Sequence, residues 1–546
     1  MTGFKNRLLA AVLCLLIGHG AAAQDKMYVV PPVHLLPLKK MQTNAYGTIV
    51  PDKTDILNET LWKNAAYPVT AAKFSQLPPA LPAAAEELRL KLLKLAAEPP
   101  QGTVGQDFIT LKLQILFDQA QFNDVYRLIQ KIPEKVRSDA QNKIYADVLL
   151  TQDLQTACFL TDKGSDSVFW QELAAVCAAL DQEENKALLA LDVLKEQNEA
   201  DAFIVNAADH FLFQKPLKTV PANITPLTAA VWRRIKGSLA DLNDQEGQLW
   251  FKAMFVLDEA IPVEKRLAVA EELVQKGILS PSKLRTYYQQ VSFENRKEAS
   301  ASAPELQRAH NVQLAAELSS RPDDNLKKQT FVKNGFQSAK KAHISYAFSA
   351  AIKDILKTLS PDIETLAESA DIIEAFALAG LKEQALDWQK KAEMLFPISE
   401  TTAYGWYFAE LAQPDKSLHF FIPALENMMA YAENSSSADA AFIAKIDRLM
   451  LMFKALDMIP SDESWHYTSF AEDSAEDDFA DWEKRPAAAN KPAGDIVLEA
   501  LRELNGSYIG LLNGLSALNV VGLGKEAATI AAQSVDMVLN PVQANE

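Results

Sequence analysis

The sequence predicts an all-α fold, an irregular α-solenoid of stacked antiparallel helix pairs. Three observations carry that expectation. Apolar residues recur at helical spacing: Leu88, Leu92 and Leu95 mark one stripe of an amphipathic helix between Ala83 and Ala97. Similar blocks succeed one another along most of the chain, parted by short breaks at Pro99-Pro100, Pro133, Gly164, Pro221, Pro281, Pro361 and Pro397. No convincing series of alternating apolar and polar residues marks out strands.

Residues 1–23 read as a secretory signal. Lys5 and Arg7 make a basic start, Leu8 to Ile17 is an uncharged apolar run, and Ala21-Ala22-Ala23 supplies the small residues a signal peptidase accepts. The run is too short to cross a bilayer as a helix, so cleavage between Ala23 and Gln24 is the expectation. Residues 24–80 are punctuated by Pro31, Pro32, Pro37, Pro51, Pro68, Pro78 and Pro79. They are expected to form a loosely packed extended arm, with a short anchor at Leu61-Trp62.

Residues 81–460 are the helical array. Cys14 lies in the signal, which leaves Cys158 and Cys177 near the ends of two apolar, helix-period segments. In an oxidising compartment the two can pair; otherwise they are two buried thiols. Neither a Cys-x-x-Cys nor a Cys/His cluster points to metal. Residues 461–494 crowd Glu472, Asp473, Glu476, Asp477, Asp478, Asp481 and Glu483 ahead of Pro486 and Pro492. Like charges this dense disfavour packing, so a disordered loop is expected. Its Phe470, Phe479 and Trp482 leave docking on its own domain or on a partner open. Residues 495–546 would supply a C-terminal helix pair that completes the array. Within them Leu504 to Gly524 is uncharged, with Gly506, Gly510 and Gly514 spaced by four. Asn505, Ser507, Asn513, Ser516 and Asn519 make it too polar for a membrane span, and a buried, closely packed helix is the expectation.

One helix-end pattern recurs. Ala375 to Leu386 joins an apolar helix end to a new helix through Gly380, and Ala517 to Ala528 does the same through Gly522. Leu116 to Val125 is a degenerate copy. Glycine ends the first helix in the left-handed conformation, the next Leu or Phe packs into the turn, and a small residue lets the second helix lie close. The pattern resembles the helix–turn–helix unit of tetratricopeptide-type repeats, which implies a superhelix with a concave binding face. The spacing between units is irregular and the full aromatic-and-proline signature is absent. With its signal, its Trp170-to-Cys177 segment and its closing Gly522-Leu523-x-x-Glu526-Ala527, the chain is also similar to exported helical-repeat proteins of alphaproteobacteria. That resemblance implies a fold and a compartment and supplies no activity.

Motifs that could carry chemistry are better explained otherwise. Ser280-Pro281-Ser282-Lys283 has the Ser-x-x-Lys spacing of a lysine-activated nucleophile, but Ser followed by Pro is a helix start and no Lys-Thr-Gly element accompanies it. Ser338 and Lys341 repeat the spacing. Glu368-Ser369 and Glu463-Ser464 match the pair that opens the lytic transglycosylase motif, without its companions. The six histidines beyond the signal (His34, His210, His310, His343, His419, His466) are scattered, and Asp209-His210 are sequence neighbours that point apart on a helix. No catalytic, cofactor-binding or metal-binding residue is therefore expected.

A net charge of −17 repels nucleic acid and anionic lipid as broad partners, while hydrophobic residues at 49% supply a core. An acidic surface could attract basic partners or serve solubility alone. The expectation is a periplasmic helical-repeat scaffold that binds protein or peptide partners in the cell envelope, with no cofactor and no integral membrane span. A structural outer-membrane-associated component is the alternative, and a peptidoglycan-acting enzyme on a superhelix is a further one. Oligomeric state stays open.

Overall fold

Among the described residues every regular element is a helix, and the strand-like pairings are two isolated parallel bridges, Ile49 with Leu95 and Ala66 with Gln101. The structure, a computed structural model, describes residues 46–539 apart from 53, 79–80, 103–106, 164–166, 197–200, 218, 243–246, 294–302, 413–426, 428–429, 432–439, 459–490 and 505. The chain begins with α1 (Tyr67–Ser75), α2 (Ala83–Lys94), α3 (Asp107–Asp118) and α4 (Phe122–Gln130). A lobe follows, made of α5 (Asp139–Gln152), α6 (Leu154–Cys158), α7 (Val168–Leu180), α8 (Glu184–Glu196), α9 (Ala202–Phe213) and α10 (Pro226–Lys236). Next come α11 (Leu249–Leu257), α12 (Val263–Gln275), α13 (Pro281–Gln290), α14 (Pro304–Glu317), α15 (Asn325–Lys341) and α16 (Ser345–Ala351). Then α17 (Ala370–Leu378), α18 (Lys382–Leu395), α19 (Glu400–Tyr404), α20 (Trp406–Leu411) and α21 (Ala440–Ala455) lead to α22 (Ala493–Glu503), α23 (Tyr508–Val520), α24 (Gly524–Gln533) and α25 (Val535–Leu539).

Helix ends decide how these elements pair. Seven described helices stop in the same way, at a left-handed residue: Ala120, Gln182, Gly277, His343, Gly380, Asp457 and Gly522. At each, the next amide donates back to a carbonyl five residues earlier, as from Leu381 to Phe376 (2.8 Å), Leu523 to Leu518 (2.9 Å) and Gln121 to Leu116 (2.8 Å). The left-handed residue itself donates to a carbonyl three residues back, completing a Schellman turn that satisfies two orphan carbonyls. At four of the seven the residue after the turn is drawn inward: Ile344, Leu381, Met458 and Leu523 are buried, whereas Glu183 is exposed. The next helix returns along the first in α3–α4, α7–α8, α15–α16, α17–α18 and α23–α24.

The α5–α10 lobe carries a small core of its own, where Ala175, Ala179, Ala187, Leu191 and Ala208 let α7, α8 and α9 approach closely. Arg233 on α10 closes the lobe by donating to the carbonyls of Thr151 (3.2 Å) and Gln152 (2.6 Å) at the C-terminus of α5.

The two ends of the described chain meet. Helix α2 packs on α22 and α24 as well as on α3. Gln533 Oε1 accepts from the Ala84 amide (2.8 Å), and Lys73 on α1 pairs with Asp495 (3.2 Å) and Glu499 (3.1 Å) on α22. Gly277, at the end of α12, also lies against Ala83 and Glu86. In an open one-dimensional array each unit touches only its neighbours. Here the beginning, middle and end of the chain share α2.

The expected extended arm over residues 24–80 is corrected for its described part. Leu57, Leu61, Trp62 and Ala65 are each 1% exposed, and α1 follows them. Pro68 sits in the first turn of α1, where its missing N–H costs nothing. Gly494 presses its bare Cα face on the Trp62 ring, where an added Cβ would lie 2.4 Å from the nearest ring carbon. The C-terminal helix pair expected over residues 495–546 is instead the run α22 to α25. Gly506 lies in the left-handed turn before α23, so it does not share a helix with Gly510 and Gly514 (φ +91°). Gly514 marks the close crossing on α22, its Cα facing the Ala500 carbonyl. Residues 1–45, with the Ala23–Gln24 cleavage, and residues 459–490 of the acidic loop lie outside the described residues.

Replacing Trp62 by Ala should cost about 3–5 kcal/mol of stability. Gly494→Ala should cost about 1–3 kcal/mol through overpacking. Both are read by urea unfolding. Near-neutral values for both would return residues 46–78 to the status of a loose arm.

Candidate functional site

Most residues that the sequence singles out have structural duties. The Ser280 hydroxyl accepts from the Lys283 amide (3.4 Å) as the N-cap of α13, while Lys283 Nζ lies over the Tyr287 ring (5.5 Å). Ser338 accepts from Arg308 (3.0 Å). The Ser369 hydroxyl donates to the Thr365 carbonyl (2.6 Å) and its amide to the Thr401 hydroxyl (2.6 Å), which locks the turn before α17. Asp209 pairs with Lys215 (3.0 Å), and His210 Nδ1 meets the Lys215 carbonyl (2.8 Å), so the two neighbours form no dyad. His343 ends α15 in the left-handed conformation, and His310 packs edge-on against Phe293. Glu463, Ser464, His34, His419 and His466 lie outside the described residues.

Cys158 and Cys177 are joined in a disulfide, with Cα atoms 5.5 Å apart. It ties the short α6 to the last turn of α7, across a sequence separation of 19. By loop-closure entropy such a link contributes about 3 kcal/mol.

Sequence reasoning missed the buried ion pairs. Glu271 on α12 takes two hydrogen bonds from Arg308 on α14, one of them Nε to Oε1 at 2.8 Å, and the Tyr288 hydroxyl donates to it at 2.7 Å. All three residues are at most 3% exposed. Burial first, and the Glu271 charge second, push the Tyr288 phenol well above its ordinary range. Glu86 and Arg89 form a similar buried pair one turn apart within α2 (3.1 Å), and burial lifts the Glu86 carboxyl above the usual carboxylate range against the pull of Arg89. Their charges are spent on each other, which suits a fixed packing contact better than a reacting centre. The signal that could have found them is weak. Charged residues inside apolar stripes are usually read as surface.

The candidate surface site is a ladder of polar contacts between α15 and residues 368–374, at the start of α17. Lys333, Gln337 and Lys340 share one face of α15 by their helical spacing. Lys333 donates to the Glu368 carbonyl (2.8 Å), Gln337 to Asp371 (3.0 Å) and Lys340 to Glu374 (2.7 Å). Glu400 on α19 adds a further carboxylate, raised by burial first and then by Asp371 and Glu368, with Lys333 and Lys340 opposing. Beside it Tyr404 and Tyr431 meet edge to face at 5.9 Å. Burial raises both phenols, and Glu400 adds to each. Carboxylates outnumber lysines along this edge, and aromatic rings flank it. Such an edge can receive a cationic side chain.

Among the described residues no group of three or more His, Cys, Asp or Glu could hold a metal ion, and no helix is long and apolar enough to cross a membrane.

Two stability outcomes test this division of labour. Converting both cysteines to Ala should lower stability by about 3 kcal/mol in urea unfolding under oxidising conditions, and a reductant should lower the wild type to match. Arg308→Met alone should cost about 3–5 kcal/mol, whereas Arg308→Met with Glu271→Leu should recover most of that loss. If the double variant is as unstable as the single, the pair does more than neutralise itself.

Comparison with protein-family models, with curated proteins and with solved structures finds no match, so the fold and the candidate site stand on the residues themselves.

Proposed function

We propose that this chain is a helical-repeat scaffold of the cell envelope that binds protein or peptide partners and performs no chemistry of its own. The observation that carries the reading is the recurrence of one Schellman-joined helix pair along the chain, with the residue after the turn buried at His343, Gly380 and Gly522. A chain built by repeating one packing unit acquires surface area and rigidity, which are what a scaffold needs. Duties as caps and turn locks at Ser280 and Ser369, the residues nearest to a catalytic motif, favour the same reading.

Periplasmic location rests on two supports. Residues 1–23 have the basic, apolar and small-residue order of an export signal. The Cys158–Cys177 disulfide suits an oxidising compartment. The contact edge would be the Glu368–Asp371–Glu400 side of α17 and α19, offered to a basic segment of the partner. This edge is half-buried at Asp371, Glu400 and Tyr404, so a partner's side chain can reach it.

The test is in-cell cross-linking followed by capture through a C-terminal tag. Wild-type protein should bring down a small reproducible set of envelope proteins. Glu368→Lys with Glu400→Lys should lose at least tenfold of that set with helicity by circular dichroism unchanged. An empty wild-type capture would overturn the scaffold reading, and an unchanged capture by the variant would move the contact away from this edge.

A further inference from the structure

Lys112, in the middle of α3, is 2% exposed. Its Nζ donates to the carbonyls of Leu95 (2.8 Å) and Tyr46 (3.2 Å) and lies 5.6 Å from the Phe108 ring centre. A neutral amine has two N–H donors, and two acceptors are in place. An ammonium has three, and among the described residues no acceptor meets the third. Burial alone brings the group down from 10.5 to about 7.

The charged groups of the surrounding elements are engaged elsewhere. On α2, Lys91 pairs with Asp55 and Lys94 with Asp124 of α4. On α5, Lys143 pairs with Asp147, and on α11, Lys252 pairs with Glu272. Asp107 of α3 itself faces Tyr67 of α1. On the covering segment the titratable group is the Tyr46 phenol, while its carbonyl takes the bond from Lys112.

That covering segment is residues 46–50, laid across the end of α2. The amides of Thr48 and Ile49 donate to the Lys94 carbonyl (2.8 and 2.9 Å), and the Ala96 amide donates to the Ile49 carbonyl (2.9 Å). Gly47 lies so close to Ala96 that an added Cβ would fall 2.3 Å from its nitrogen. Lys131 holds the Gly47 carbonyl from outside (2.7 Å). Few bonds hold the segment, and one of its two lysine clamps is the buried amine.

We propose that residues 46–50 form a proton-sensitive strap: proton uptake by Lys112 favours their release from the end of α2, and proton loss reseats them. With the strap open, water reaches Lys112 and its affinity for a proton returns toward that of an ordinary lysine. By linkage, each pH unit between about 10 and 7 makes opening about tenfold easier as pH falls, and the dependence flattens below about 7. The sign follows from the depressed folded value: the closed state binds fewer protons than the open one throughout that window.

Hydrogen exchange of the full-length protein, read by mass spectrometry from pH 6 to pH 9 and corrected for intrinsic rates, tests this. Protection of the Thr48, Ile49 and Ala96 amides should fall about tenfold per unit from pH 9 to pH 7 and level off below. Amides in the core of α17 should not follow. Lys112→Met should remove the slope and keep the strap protected. Lys112→Arg, charged throughout, should leave it unprotected at every pH. A flat wild-type profile, or a slope that survives in Lys112→Met, would overturn the proposal. If Lys112→Met does not fold, the wild-type contrast between strap and α17 amides decides alone: strap protection that moves in step with α17 reports global unfolding and overturns the strap.

Discussion

The described structure depends on the burial of α2. Leu88, Leu92 and Leu93 are at most 2% exposed, and so is Glu86 on another side of the same helix. A helix buried on several sides must neutralise every charge it carries inward. Glu86 and Arg89 do so one turn apart, while Lys91 and Lys94 at the helix end reach out to Asp55 and Asp124. With α2 fixed, α22 and α24 from the end of the chain and the close of α12 from its middle have a common surface to settle on. The dependence runs both ways, since α2 without those neighbours would expose a stripe of leucines to water.

Around that centre, a local rule sets the rest. Each Schellman turn reverses the chain in very few residues, and those at His343, Gly380, Asp457 and Gly522 bury the side chain that follows. The rule tolerates substitution at the left-handed position, where Ala120, Gln182, His343 and Asp457 stand beside three glycines. A non-glycine residue there costs about 1–2 kcal/mol, which packing around the turn must outweigh. Ile344 behind His343 and Met458 behind Asp457 are buried, which supplies that gain.

This explains how much of the molecule was legible from sequence. The helical character followed from spacing, and the turns at Gly380 and Gly522 followed from glycine. Those at Gln182, His343 and Asp457 did not, because the residue in the strained position gives no sign of itself. The closure on α2 was invisible for another reason. Trp62 and Gly494 meet across more than four hundred positions, and a contact at that range leaves no period in the sequence. Proline misled as well: Pro68 reads as a break in an arm and serves as a helix start. The candidate edge was partly legible, since Lys333, Gln337 and Lys340 share a helix face, but their partners on α17 are set by packing.

The same physics separates the buried charges into those that hold the fold and those that can respond. Glu271 and Arg308 are buried against each other, with Tyr288 and Ser338 completing their hydrogen bonds, so removing either charge would strand its partner. Lys112 has no countercharge to lose. Its environment suits the neutral amine, and the segment laid over it is a few residues held mainly by backbone bonds. A protein that pairs its interior charges at α2 and at α12–α14 leaves Lys112 without such a pair beneath a thin strap, and proton uptake there favours a local opening at residues 46–50.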